Sequence, residues 1–190
     1  ANQVDSICLP NELRLLHWDY FPFKTLSSFN SKNLVVLILR RGNMEQLWNE
    51  DDHMDLVNLR QIDVSECHNL RKIPNFSGAI NLELLDCSLC KSLVELPCLN
   101  HLATLHHDKL YLQGCYRLKK FPQVPRHFCS LGLLITEIEE VPDSIEHLHK
   151  LQRLSLSKSN VIKVSINISK LESLRKLDLS GCPMVQFPNC

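Results

Sequence analysis

The chain has 190 residues, 44% of them hydrophobic and 22% charged, which is ordinary for a globular protein and enough for one domain with its own core. Its 21 basic side chains balance 21 acidic ones, so charge alone steers it neither to nucleic acid nor to an anionic membrane. The longest aliphatic run, Leu34 to Leu39, is far short of the roughly 20 residues that span a bilayer.

Thirty-five leucines, close to one residue in five, demand a repetitive cause. Residues 1–12 read as a lead-in. A first loose copy of a pattern follows, with Leu13, Leu16, Trp18 and Leu26, and a second with Leu34, Leu37, Leu39, Gly42 and Met44. From Leu59 the pattern is sharp: Ile62 lies at +3, Val64 at +5, Cys67 at +8, Leu70 at +11 and Ile73 at +14, then Pro74. Leu82 begins the same series with Leu85, Cys87, Cys90, Leu93, Leu96 and Pro97. His107 begins the next, where leucine is expected, with Leu110, Leu112, Cys115, Leu118, Phe121 and Pro122. Phe128, Leu151 and Leu174 open three more, the last with Phe187-Pro188 one residue early. The starts near 13, 34, 59, 82, 107, 128, 151 and 174 have a mean spacing of 23 residues, inside the ~20–29 of leucine-rich repeats.

Positions +3 and +5 are two apart and share one face of a strand. One repeat cannot bury that face alone, so repeats stack and their strands align in parallel. The predicted fold is an α/β leucine-rich-repeat solenoid: a curved horseshoe with one short parallel strand per repeat on the concave face and an irregular or briefly helical convex side. Eight strands about 4.8 Å apart predict one continuous arc on the order of 35–40 Å long. The closing prolines force turns. A helical turn is expected over Asp143 to Lys150, capped by Asp143 or Ser144. Trp18, at +5, is expected in the core, and Trp48 beside Leu47.

Position +8 points inward at the strand's end, where an asparagine is usual. Here Cys67, Cys90, Cys115 and Cys182 form a structural ladder, a thiol being small, apolar and a weak donor. With nine cysteines, an odd number, reduced thiols are the reading that fits a cytosolic chain.

The segments Leu9–Leu26 (LPNELRLLHWDYFPFKTL), Asn33–Trp48 (NLVVLILRRGNMEQLW), Leu110–Pro122 (LYLQGCYRLKKFP) and Leu174–Pro188 (LRKLDLSGCPMVQFP) closely resemble the repeat region of plant intracellular disease-resistance receptors of the TIR, nucleotide-binding and leucine-rich-repeat type. The resemblance implies a cytoplasmic protein, the nucleus also being open to it. It implies a repeat domain that recognises a pathogen effector or a guarded host protein and helps restrain the receptor's own nucleotide-binding domain. Nucleic acid and membrane are not among the expected partners. No GxxxxGK[ST] loop occurs and the five glycines are isolated, so nucleotide switching and TIR chemistry lie outside this stretch. The chain is therefore expected to be no enzyme and to hold no cofactor or metal.

Outward positions on a concave face are +4, +6 and +7. They predict a partner-binding surface of Tyr111, Leu134 and Ile135 beside Asp63 and Asp86, with Leu89 and Asp178 on the same face. Three rival readings stand beside it. Cys87-x-x-Cys90 has zinc-ligand spacing, with His106, His107, Cys115 and Cys67-His68 in nearby repeats, but one CxxC without a partner pair is weak and both cysteines already fall on inward positions. A catalytic cysteine–histidine pair has no local signature. The sequons Asn75-Phe76-Ser77 and Asn167-Ile168-Ser169 would suit an extracellular repeat receptor, and a stand-alone repeat binding protein is the remaining alternative.

Overall fold

A computed structural model describes residues 7, 9–26, 31–49, 52 and 54–188. Each repeat contributes one strand to a parallel solenoid. The strands are β1 (Leu15–His17), β2 (Val36–Ile38), β3 (Gln61–Asp63), β4 (Leu84–Asp86), β5 (Leu110–Tyr111), β6 (Ser130–Gly132), β8 (Arg153–Ser155) and β10 (Lys176–Asp178). Two shorter strands, β7 (Glu140–Val141) and β9 (Lys163–Val164), pair where the coils turn back. The isolated bridges Gln46 to Lys72 to Glu95, and Lys163 to Gln186, follow the same line. Among the described residues the convex side has no α-helix, only short 3₁₀ turns at Asp143–His147 and Ile166–Lys170.

The +3 and +5 residues fill one core cluster running from Leu16 to Leu171. Ile62, Val64, Leu85, Cys87, Leu112, Leu133, Leu154 and Leu156 are fully buried. Each coil alone would leave these side chains half wet, so burial exists only between neighbours.

Every repeat turns away from its strand at +7 through a left-handed residue. Tyr20, Arg41, Glu66, Leu89, Gly114, Ile135, Lys158 and Gly181 have φ between 56° and 74°. That conformation points the +7 amide at the next coil's +6 carbonyl. The line runs Tyr20 to Arg40, Arg41 to Ser65, Glu66 to Ser88, Leu89 to Gln113, Gly114 to Leu134, Ile135 to Ser157 and Lys158 to Ser180, at 2.7–3.0 Å.

The concave strands do not form one arc. β1 to β5 make one parallel sheet and β6, β8 and β10 another, with no ladder from β5 to β6. The fifth repeat supplies the reason. Leu105, not His107, fills the inward leucine position and is fully buried. His106 N bonds Glu83 O at 3.3 Å, as Glu83 N bonds Arg60 O at 2.8 Å one coil earlier. The spacing from Leu82 is thus the regular 23 residues, and His107 and Asp108 are a two-residue insertion. It folds as a 3₁₀ turn, His107–Lys109, that replaces the strand's entry. β5 pairs with β4 through two residues instead of three. On its other side, among the described residues, Leu112 lacks the bond that Leu39, Val64, Cys87, Leu133 and Leu156 each send to the next coil's +4 carbonyl. The Gly114 to Leu134 bond carries the chain of coils across this seam.

Two local expectations are corrected. Trp18 is 39% exposed, not core. β1 is the edge of its sheet among the described residues, so Trp18 rests edge-on against Phe21 and Phe23 at 5.3 and 6.1 Å. Trp48 is buried with Leu47 and lies 5.8 Å from Phe76. The Asp143 turn follows Pro142 and has no side-chain cap, since Asp143 is already inside it and accepts from Ser165 Oγ. The matching turn one coil later is capped by Ser165, whose Oγ accepts from Asn167 N at 3.1 Å.

Candidate functional site

The concave face is built from side chains at +2, +4 and +6, which the alternation of each strand turns away from the core. Its two sheets differ in character. On the first, Val36, Ile38 and Leu84 are half-buried, while Leu89 and Tyr111 are 38% and 36% exposed. Asp86 sits among them, half-buried, its Oδ1 accepting from Ser88 N at 2.8 Å and Ser88 Oγ at 2.6 Å. Burial is the main cause that raises its pKa above the ordinary carboxylate value, and the Ser88 hydrogen bonds oppose it.

Asp63 does not belong to the open surface. It is 4% exposed. Its Oδ2 receives Arg40 Nε and Nη2, both at 2.7 Å, and its Oδ1 receives Ser65 Oγ at 2.7 Å and Ser65 N at 3.1 Å. Four donors leave it little capacity for a partner, and its role is to tie β2 to β3. Leu134 and Ile135 are likewise half-buried rather than free. Leu134 Cδ1 lies over Gly132, 3.4 Å from where a Cβ would stand. Asp178 is half-buried and holds Ser180 N at 3.0 Å and Ser155 Oγ at 3.3 Å. Of the predicted residues, Asp86, Leu89 and Tyr111 lie together on β4, β5 and the turn after β4, and Leu84, which the sequence reading did not name, joins them on β4.

The second sheet carries a shallow hollow of about 210 Å³ over Gly132 and Ser155. Exposed Arg153 and Lys176 line it; Arg153 Nε donates to Ser130 Oγ at 3.4 Å, and Lys176 acts electrostatically on Asp178. Arg153 and Lys176 thus flank the hollow on the second sheet, where β10 also carries Asp178.

Two lines of side-chain rungs also link successive coils. In the first, the thiols of Cys67, Cys90, Cys115 and Cys182 donate to the +5 carbonyls of Leu39, Val64, Cys87 and Leu156 in the preceding coil, at 3.0–3.1 Å. Burial raises the thiol pKa values of Cys67, Cys90 and Cys115, to about 12 for Cys67 and Cys115. The second line sits at −1 and escaped the sequence reading. Asn33, Asn58 and Asn81 donate Nδ2 to Asn11, Lys32 and Val57 carbonyls, and Thr104 and His127 continue it to Leu82 and Leu105. Polar residues just before each leading leucine were the available signal.

The CxxC constellation does not assemble. Cys87 and Cys90 are fully buried, Cys90 Sγ is spent on Val64 O, and His68 turns to Leu89 O at 3.0 Å. His106 and His107 are brought together instead with Asp108, a residue the pattern did not single out. Of the sequons, Asn167 donates its side-chain nitrogen to Asp143 O at 3.1 Å, and Asn75 is exposed beside fully buried Phe76.

Comparison with known proteins fits this architecture. No family model matches the chain. Over 195 residues, 90% of the chain, it is 35% identical to the disease resistance protein RML1A of Arabidopsis thaliana. It is 35% identical over 191 residues, 98% of the chain, to the disease resistance protein RPS4B of the same plant. The chain spans only 19% and 16% of those two relatives. Among solved structures, a leucine-rich-repeat protein of Leptospira interrogans superposes with a TM-score of 0.56 at 21% identity, over 90% of this chain and 50% of that one, a likeness of fold. Among the described residues no helix is long and apolar enough to cross a membrane.

Proposed function

We propose, from the premise that this chain is a leucine-rich-repeat array homologous to part of the plant disease resistance proteins, that its concave face recognises a protein ligand in immune signalling. The ligand is a pathogen effector or a host protein guarded by the receptor. In the longer receptor the same array helps restrain the nucleotide-binding domain. The observation that carries the reading is the surface of Leu84, Asp86, Leu89 and Tyr111. β4, β5 and the turn after β4 hold an aromatic and two aliphatic side chains near a half-buried carboxylate. Anchors of that kind, partly desolvated before contact, suit the centre of an interface. Arg153 and Lys176 line the hollow beyond the seam, so a partner that reaches it with an acidic group meets two cations there.

The test is the double variant Tyr111→Ala, Leu89→Asn in the full-length receptor. Asparagine is chosen because Leu89 is left-handed, at φ 59°, which it tolerates. The expected outcome is loss of effector-triggered signalling with unchanged accumulation of the receptor. Normal recognition by a folded double variant overturns the reading. Constitutive signalling would instead assign the surface to restraint of the nucleotide-binding domain.

A further inference from the structure

We propose that the inserted turn of the fifth repeat is a binding site for a divalent transition-metal ion of the zinc kind, with His106, His107 and Asp108 as its ligands. The proposal is independent of the partner-binding reading.

The geometry is local. One ligand atom from each of the three residues lies within 4.8 Å of the other two. His107 Nε2 stands 3.3 Å from Asp108 Oδ1, and His106 Nδ1 stands 3.8 Å from Asp108 Oδ2. Donors about 2.0–2.1 Å from a tetrahedral zinc stand about 3.3 Å apart, so the set closes on an ion when the side chains turn toward one another. His106 Nδ1 accepts from the Asp108 amide at 3.4 Å, so it is the unprotonated nitrogen, and an ion bound there takes the place of that long capping hydrogen bond. The two imidazoles stack, with centroids 4.5 Å apart and planes 25° from parallel, which keeps them adjacent; their lone pairs lie in the ring planes, so the rings turn out of the stack to share one ion.

The chemistry suits the ion class. Two imidazoles and one carboxylate match the borderline preference of zinc, and they leave an open position for water or for a fourth donor. Calcium and magnesium, which take oxygen ligands, are excluded by the same set. The turn exists only because two residues interrupt a 23-residue period, and those two, His107 and Asp108, are themselves ligands. Packing explains the buried cysteines fully; in this set His106 and Asp108 are exposed, and His107 is half-buried with its ring 6.3 Å from Phe128. A bound ion would fasten the turn where it lies against β6, at the one place where the concave sheet is interrupted.

Zinc titration of the purified chain by calorimetry tests this, with cobalt as a spectroscopic probe. One equivalent of Zn²⁺ is expected to bind. His107→Ala or Asp108→Asn alone should weaken it about tenfold or more, and the double variant should abolish it. Co²⁺ should give visible d–d bands without the intense near-ultraviolet band of thiolate ligation. Added Zn²⁺ should shift the ring resonances of His106 and His107 and leave those of His147 and His149 in place, a readout on the unaltered chain should the double variant fail to fold. Absence of saturable zinc uptake overturns the proposal. So does full binding by the folded double variant, or a cobalt–thiolate band.

Discussion

Thr136 Oγ1 lies 3.0 Å from Ser159 Oγ, a hydroxyl pair in the part of the array where thiols would otherwise form the rungs. Ser159 donates to Leu133 O at 2.7 Å, the bond its cysteine counterparts make, while Thr136 bonds back to the same carbonyl at 3.3 Å instead of reaching across the seam to Leu112. Ser159 Oγ also accepts from Thr136 N at 3.2 Å. Ser159→Ala leaves that buried amide and a carbonyl short of partners. It should cost about 2 kcal/mol, read as a lower midpoint in urea unfolding. Ser159→Cys should recover part of the loss.

Asp86 makes stability fall on the alkaline side of its titration. Its folded pKa is raised, chiefly by burial, so the folded state holds the proton more tightly than the unfolded chain does. The favourable contribution is complete below the unfolded value near 3.8 and is lost as pH rises through the folded value. Asp86→Asn keeps an oxygen for Ser88 and carries no charge. At neutral pH it should melt higher than the parent, and the gap should narrow as pH drops through the Asp86 titration. A constant gap would show that charge burial is not the cause.

Two glycines should answer differently to alanine. Gly114 has φ 74°, and a Cβ there would come within 2.6 Å of Leu89 Cδ2. Gly114→Ala should cost about 1–2 kcal/mol, from the left-handed penalty and a shifted leucine. Gly132 meets only Leu134 Cδ1, at an ordinary 3.4 Å, and its alanine variant should be within about 0.5 kcal/mol of the parent. Chemical denaturation of both variants checks the contrast.

Thiol labelling at pH 8 should sort the cysteines by depth. Cys98 is exposed and should react first. Cys67, Cys87, Cys90 and Cys115 are buried with thiols held well above their ordinary values, so neither access nor thiolate is present. Mass spectrometry should find these four unmodified until the chain is unfolded. Rapid native labelling of any of them would contradict the packing described.

The inward positions were legible because burial between coils forces leucine, isoleucine or cysteine at fixed offsets, as from Ile62 to Ile73. The left-handed +7 residues were not, because arginine, glutamate, leucine and isoleucine stand there as well as Gly114 and Gly181. The insertion at His107 was hidden by its own symmetry: spacings of 25 and 21 residues average to 23. The backbone bond from His106 to Glu83 and the burial of Leu105 set the frame. On the concave face the +4 offset indicated orientation but not depth. Asp63 and Asp86 share that offset and are paired neighbours in register, yet one is sealed under Arg40 and the other is not. A reading along the chain cannot see that Arg40 comes from the coil before.

The seam between β5 and β6 also bears on how the array comes apart. In a solenoid each unit is stabilised only by the units beside it, so unfolding is governed by its least-coupled junction. One junction short of a backbone bond divides the array into a five-coil block and a three-coil block. The two blocks should lose structure in separate steps, like a zipper with one missing tooth. Hydrogen exchange on either side of Leu112 would then report two opening events where an uninterrupted arc would report one.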